Sequence, residues 1–416
     1  MNSGPLLTRV VLRNFRSVAS CDVRLGTLTF LVGLNGAGKS NFIDALRFCR
    51  DALRSPLEQA FANRASNLQT ISHWNQGAQP GFGIRLELSL PLIGPAHYAF
   101  WIGPQAPRGF EVTDEECAVG DVRREFLFGL PLVEFKPFSY FRVHHGVVTE
   151  VAGSNPIHTS FDPGIGTSRL YLPTAAGEHP FRDVYEALAN MEFYAPDPEA
   201  IKDLDTSGSG EILDSNGANT ASVFDRISVE DADRAGRIND YMRRIVPGLR
   251  SIRPETFKTY KLLNFDQEAP LSSVRTLLAS SMSDGTLRAL AVLVALFQRS
   301  SRHAPPTVIG IEEPESGLHP AAAGILFDAL REGQEFGQIV VSSHSPDLLD
   351  NPEVSNDSIL AVDASGGATE IAPLDDTGRF SLQDRLYTAG ELLRMDQLKP
   401  RHGFRQLENE AELFIS

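Results

Sequence analysis

The chain has 416 residues, 42% of them hydrophobic and 22% charged, with a formal net charge of −15. That balance suits a soluble globular protein of two or three structural units. The acidic excess argues against wholesale wrapping of nucleic acid or docking on an anionic membrane, though not against a local basic groove. Cys21, Cys49 and Cys117 lack paired metal-ligand spacing and read as reduced thiols. No basic-then-apolar leader opens the chain, and the longest apolar run, 287–297, is too short to span a bilayer. A cytoplasmic protein without a membrane partner is the expectation.

In chain order, 8–12, 21–25 and the mostly apolar 28–32 predict strands, the last of them central. Between the first two, Arg13-Asn14-Phe15-Arg16-Ser17 is a turn with an aromatic flanked by cations. It reads either as a platform for an adenine or as a surface turn anchored by Phe15.

The third strand runs into Gly33-Leu34-Asn35-Gly36-Ala37-Gly38-Lys39-Ser40, a full G-x-x-x-x-G-K-[ST] phosphate loop. Gly33, Gly36 and Gly38 let the backbone curl so that successive N–H groups face a pyrophosphate. The helix starting near Lys39 adds the positive end of its dipole. Lys39 brings a point charge to the β- and γ-phosphates, and the Ser40 hydroxyl is placed to ligate Mg²⁺. A bound nucleotide is therefore expected.

After the loop, 41–55 predicts a helix with Phe42, Ile43, Ala45, Leu46 and Cys49 on one face, ended by Pro56. Residues 60–80 show no clear period. Strict alternation at 84–90, with further strands at 97–102, 109–112, 126–132 and 139–148, predicts an antiparallel sheet. Loops at 164–168 and 205–210 flank a helix at 180–191; a helical pattern at 222–245 is closed by Pro247-Gly248, and strands follow at 250–253 and 260–265. There is no internal repeat and no sustained heptad pattern.

Three later clusters matter because of their order. Ser283 and Gly285 precede the apolar helix 287–297 and read either as an anion site at a helix N-terminus or as the cap of a core helix. The strand 307–311 runs into Glu312, Glu313 and Glu315. Adjacent carboxylates at a strand end point to different sides, so one can join a Mg²⁺ shell while the other faces an attacking water. The strand 338–343 ends at His344, at the edge where ligands bind in α/β sheets and within reach of a phosphate.

The order phosphate loop, serine–glycine signature, strand with paired acids and strand with histidine resembles the ABC-class ATPase heads. Within them the chain is similar to the SMC/RecF/OLD-like group of AAA-type ATPases. The phrases that carry the likeness are Asn14-Phe15-Arg16-Ser17, Gly36-Ala37-Gly38-Lys39-Ser40-Asn41, Ser283-Asp284-Gly285-Thr286, Glu312-Glu313-Pro314-Glu315 with Leu318-His319-Pro320, and Ser343-His344-Ser345-Pro346. The likeness covers 8–55 and 275–365. It implies an α/β fold, an ABC-type P-loop head with a mixed central sheet and an antiparallel β lobe, carrying a β-rich and helical insertion between loop and signature. The head would be split into 1–58 and 271–416 around a segment 59–270.

The resemblance also implies roles. Gly33, Asn35, Gly36, Ala37, Gly38, Lys39, Ser40 and Asn41 would hold the phosphates of ATP, and Ser40 and Glu312 would organise Mg²⁺. Glu313 would polarise the attacking water, and His344 would sense the γ-phosphate. Ser283 and Gly285 would bind the γ-phosphate of ATP held by a second protomer in a homodimer, and the loop 315–319 would meet its counterpart across that dimer. Two positions depart from the ABC transporter pattern: Glu312 stands where those proteins carry Asp, and Asp284-Gly285-Thr286 where they carry Gly-Gly-Gln. Gln69, Gln76 and Gln79 are the candidates for a glutamine loop.

OLD-like nucleases append a Toprim domain after the histidine strand, and nothing of that size fits after Asp347. The tail offers a strand at 359–363, a turn at Gly366-Gly367, a strand at 370–372 and a helix at 383–397, with Asp375-Asp376 read as a turn. The expectation is an ATPase that controls a separate effector, such as a nuclease, in bacterial antiphage defence or DNA maintenance. The alternative is a RecF/SMC-like DNA-binding clamp in DNA repair, its groove lined by Arg243, Arg244, Arg250, Arg253, Lys258 and Lys261. A transporter ATPase fits poorly with the long segment between loop and signature.

Overall fold

The strand β3 (Leu28–Val32), buried along its whole length, lies inside a six-stranded sheet. In this computed structural model residues 6–73, 80–91, 93–105, 109–127, 130–152, 166–205, 210–270, 273–299, 306–364, 367–401 and 413–414 are described. The other strands of the sheet are β9 (Glu192–Tyr194), β13 (Val308–Glu312), β14 (Gln338–Ser343), β15 (Ile359–Asp363) and β16 (Glu370–Pro373). Their order is β16-β15-β3-β14-β13-β9, parallel throughout except for the β15–β16 hairpin at one edge.

A mostly parallel sheet buries both faces, so its strands read as apolar runs whose alternate residues enter different cores. Leu28, Phe30 and Val32 enter one core and Leu31 the other; Ile339 and Val341 oppose Val340 in the same way. The first core includes helices Asp284–Phe297 and Pro320–Gly333, and the second includes helix Lys39–Arg54 and a larger sheet.

That larger sheet is antiparallel and seven-stranded. It comprises β1 (Leu6–Phe15), β2 (Val18–Arg24), β4 (Phe82–Leu90), β5 (Gly94–Pro104), β6 (Phe110–Leu127), β7 (Leu130–His144) and β8 (Val147–Ala152), in the order β2-β1-β4-β5-β6-β7-β8. A third sheet, β10 (Leu249–Phe257), β11 (Tyr260–Glu268) and β12 (Val274–Leu278), is antiparallel and leads into the Ser283 helix. The mixed central sheet and antiparallel lobe match the expected architecture. Segment 59–270 contributes strands to all three sheets.

Several expectations are corrected. Phe15 is fully buried, with edge-on contacts to Phe48 and Phe82 at 6.1 and 5.3 Å, so it anchors its turn and offers no face to an adenine. Arg16 in that turn pairs with Asp44 at 2.8 Å. Segment 126–132 is not one strand: 126 and 127 end β6, 130–132 begin β7, and 128 and 129 lie outside the described residues; both strands are longer than the local sequence predicts because each continues the other's ladder. The single helix expected at 222–245 is two, Thr220–Glu230 and Ala232–Ile245, parted at Asp231, whose side chain caps the second by accepting from Arg234 N at 3.1 Å. Of the helix expected at 383–397, the structure has Ala389–Arg394, started by the Thr388 capping box, while a separate helix, Asp376–Gln383, ends where the expected one begins. Asp375 caps that separate helix, accepting from Gly378 N at 2.7 Å.

Gln76, Gln79, Gly164, Ile165, residues 206–209 and Gly366 lie outside the described residues. The three cysteines are buried and free, and among the described residues no helix is long and apolar enough to cross a membrane.

Candidate nucleotide site

The apolar run of β3 stops at Val32, and the chain then turns through the glycine loop into the helix at Lys39. Two of the glycines are required sterically. A Cβ on Gly33 would lie 2.1 Å from the Val362 carbonyl oxygen, and one on Gly38, where φ is +105°, would lie 2.1 Å from Thr369 Oγ1. The β15–β16 hairpin therefore backs the loop. Thr369 Oγ1 donates to the Ala37 carbonyl at 2.8 Å, and its oxygen lies 2.6 Å from Ser17 Oγ. Asn41 Nδ2 donates to that same Ser17 oxygen at 2.6 Å, so Ser17 gives its own hydrogen to Thr369. Ser17, Asn41, Thr369 and the loop carbonyl form one closed network.

The Lys39 ammonium donates to the carbonyls of Gly33 and Leu34, both at 2.9 Å. Burial lowers its pKa, and Glu313 and Glu315 oppose that by stabilising the charge. Asn35, Gly36 and Ser40 are exposed on the loop, and Ala37 is buried against the hairpin.

Sheet register brings the other motifs to the same edge. Ser343 is level with Val32, and Ser342 with Glu312, so β3, β14 and β13 finish together. This is where ligands bind in parallel α/β sheets. The adjacent acids diverge, as alternation at a strand end requires. Glu312 pairs with Arg47 of helix Lys39–Arg54 at 2.9 Å, and that guanidinium also lies 5.7 Å from the centre of the Phe193 ring.

Glu313 leaves the strand with φ +45°, a left-handed conformation that costs a non-glycine residue about 1 kcal/mol. Its Oε1 lies 3.2 Å from His344 Nδ1, and its Oε2 accepts from Ser316 Oγ at 3.2 Å. Glu315 is a further correction. Placed by the resemblance on a loop facing a second protomer, its side chain is turned into its own chain, where Oε1 accepts from Ser343 Oγ at 2.6 Å. Burial pushes its carboxyl pKa up, while the Ser343 hydrogen bond and His344 pull it down. His319, at the end of that loop, is exposed and caps helix Pro320–Gly333.

Ser283 caps helix Asp284–Phe297, accepting from Thr286 N at 3.3 Å and lying 2.8 Å from Thr286 Oγ1. The start of this helix is fastened to the loop after the acids. A Cβ on Gly285 would lie 2.1 Å from the Gly317 carbonyl oxygen, and Arg288 donates to the Ser316 carbonyl at 2.6 Å. Asp284 pairs with Lys202 at 2.7 Å. The structure thus draws Lys39, Glu313, Glu315 and His344 into one group within the chain. Ser283 and Gly285 join that group through the Ser316–Gly317 turn.

The donor set suits the ligands expected of it. Backbone amides and a lysine fit a triphosphate. The Ser40 hydroxyl and the carboxylates are the hard oxygen donors Mg²⁺ prefers, and that ion takes few protein ligands beside phosphates and waters. Among the described residues no cluster of three or more His, Cys, Asp or Glu forms a metal cage of its own. Sequence reasoning did not single out Thr369 or Arg47 for this site, and it named Ser17 and Glu315 without foreseeing what they touch. Three sit far in sequence from what they touch, and local pattern carries no sign of such contacts.

The basic residues proposed for a DNA groove are mostly paired. Arg243 bonds to Asp240, Arg244 to Asp328, Arg250 to Glu268, Arg253 to Asp266 and Lys261 to Asp225. Lys258 lies over the ring of Phe257.

A family model described as "AAA domain, putative AbiEii toxin, Type IV TA system" matches residues 28–90 and 196–350, just over half of the chain. Among solved structures the fold is similar to the SMC head bound to the C-winged helix domain of ScpA, with a TM-score of 0.53 and 14% identity, covering 90% of this chain and 99% of that one. It is also similar to an SMC head domain with an extended coiled coil bound to the C-terminal domain of ScpA derived from Pyrococcus furiosus, with a TM-score of 0.51 and 11% identity, covering 92% of this chain and 99% of that one. At these identities the likeness is one of fold. No curated protein matches the sequence.

Proposed function

The chain belongs to the AAA-domain family described as putative AbiEii toxin of type IV toxin–antitoxin systems, and from that premise we propose that it is an ATPase head that closes as a homodimer over ATP and controls a separate effector. The observation that carries this reading is the meeting of Lys39, Glu313 and His344 where β3, β13 and β14 end.

In this reading the loop amides of residues 33–41 cradle the phosphates of ATP. Lys39 exchanges its two carbonyl acceptors for phosphate oxygens, and Ser40 and Glu312 hold Mg²⁺. The ion supplies charge neutralisation at the phosphates. Glu313 accepts a hydrogen bond from the attacking water and aligns it; His344, beside it, reaches the γ-phosphate. Catalysis is then mainly positioning and electrostatics. Ser283 presents its hydroxyl, and the helix start that it shares with the buried Gly285 its dipole, to the γ-phosphate held by the other protomer. The tie between Gly285 and Gly317 gives a mechanical route from hydrolysis to dimer opening.

The family's toxin–antitoxin description favours an effector partner in defence over a DNA clamp acting alone, and so does the charge pairing of Arg243, Arg244, Arg250, Arg253 and Lys261. The test is ATP binding and turnover by the full chain beside Lys39→Ala. Mg²⁺-dependent phosphate release that disappears in the variant is expected. Turnover unchanged by Lys39→Ala sinks the reading.

A further inference from the structure

The loop after β13 and the loop after β14 are joined by one buried acid. We infer that Glu315 is a positioning residue that sets His344 by holding Ser343, so that the carboxylate loop and the histidine loop move as one. The inference rests on the proposed role of this site. Glu315 stands apart from its neighbours: it is buried, only 6% exposed, whereas Glu312 and Glu313 are half-buried. Taking a carboxylate out of water is costly unless hydrogen bonds replace the lost hydration. Here the short bond from Ser343 Oγ, 2.6 Å, offsets part of that cost.

Ser343 is engaged on both sides. Its hydroxyl hydrogen goes to Glu315, and its oxygen accepts from Ser345 N at 3.1 Å. Those two bonds bracket His344, leaving its backbone little freedom. On the other loop, Ser316 N donates to the Glu313 carbonyl at 3.1 Å and Leu318 N to the Glu315 carbonyl at 3.0 Å, so Glu315 and Glu313 share one tight turn. The Glu313 carboxylate and the His344 imidazole, 3.2 Å apart, are thus set by a common frame. The second Glu315 oxygen, Oε2, is buried and has no hydrogen-bond partner among the described residues. A group that served only to fill space would not place a carboxylate there.

The experiment uses the full chain and compares Glu315→Ala, Glu315→Gln, Ser343→Ala and the double alanine variant. A nonhydrolysable fluorescent ATP analogue reads binding, phosphate release reads turnover, and the pH titration of the His344 imidazole NMR signal, assigned by its loss in His344→Gln, reads the histidine itself. Each alanine variant is expected to lose about tenfold to a hundredfold in kcat, as small misplacements of reacting groups do, with analogue affinity retained. The double variant should be no worse than either single one. Glu315→Gln, which still offers an oxygen to Ser343, should recover most of the turnover. The His344 titration should shift alike in both alanine variants and stay near wild type in Glu315→Gln.

Wild-type turnover in Ser343→Ala, or additive losses in the double variant, overturns the inference. If Glu315→Ala does not fold, Ser343→Ala breaks the same bond from the smaller side and still decides. A wild-type chain that binds the analogue but releases no phosphate defeats the proposed function. The His344 titration then decides the inference: an unchanged signal in Ser343→Ala overturns it, and a shift shared with Glu315→Ala supports it.

Discussion

The Thr369 hydroxyl donates to the Ala37 carbonyl at 2.8 Å across a sequence separation of 332 residues, and this bond fixes the back of the phosphate loop. The same oxygen receives Ser17, which in turn receives Asn41. The loop's shape is therefore held by three segments distant in the chain.

Thr369→Val keeps the side chain's volume and removes the hydroxyl. It leaves the Ala37 carbonyl and Ser17 without their partner, so a loss of about 1–3 kcal/mol in unfolding free energy is expected. Urea denaturation measures it, and nucleotide titration should show weaker binding because the amides are no longer held in place. Gly38→Ala should be more severe, since its Cβ meets Thr369 Oγ1 at 2.1 Å and φ is +105°. Nucleotide binding at wild-type affinity by Gly38→Ala would contradict the steric account.

Glu313→Gln keeps the size of the side chain and its reach towards Ser316, but weakens its pull on a water proton. ATP binding should persist while turnover falls about 10²- to 10⁴-fold. Dimers should accumulate in size-exclusion chromatography with ATP. An active, monomeric Glu313→Gln would count heavily against closure of two protomers over ATP.

Ser283→Arg alters a surface joined to the site through the Ser316–Gly317 turn. Binding of ATP to the monomer should be preserved and turnover lost. In the proposed dimer Lys39→Ala damages the other half of each composite pocket, so mixing these two inactive variants should restore activity, as mixed dimers would hold one pocket with both halves intact. No recovery on mixing, in samples that do form mixed dimers, would argue that each chain works alone.

Glu115 offers a pH test away from the nucleotide. It is fully buried in β6 and accepts from Tyr98 Oη, Tyr171 N and Leu172 N at 2.9, 2.5 and 2.8 Å. Burial outweighs those donors and pushes its carboxyl up to about 7 from 4.5. With the folded pKa above the unfolded one, the folded chain holds this proton more tightly. The contribution to stability is full below about 4.5 and is lost as pH rises through about 7. The urea midpoint should therefore fall between those pH values by more in the wild type than in Glu115→Gln.

The phosphate loop, the three clusters after it and their order were legible in the sequence because each is a local pattern: an apolar strand, then a glycine turn or polar knot, then a helix. Buried strands such as 28–32 and 338–343 announce themselves by composition, and a helix cap such as Ser283 by its own neighbours. What lay beyond reach was contact between segments remote in the chain. Phe15 could be read as a ligand platform or as an anchor of its turn, because nothing local tells that Phe48 and Phe82 enclose it. Glu315 looked like part of a surface loop because its partner, Ser343, arrives from another strand. Thr369 had no local mark at all. Residue type and spacing determined which chemistry this chain can attempt. Sheet register, set by long-range packing of two cores about β3, decided which of those groups stand close enough to act together.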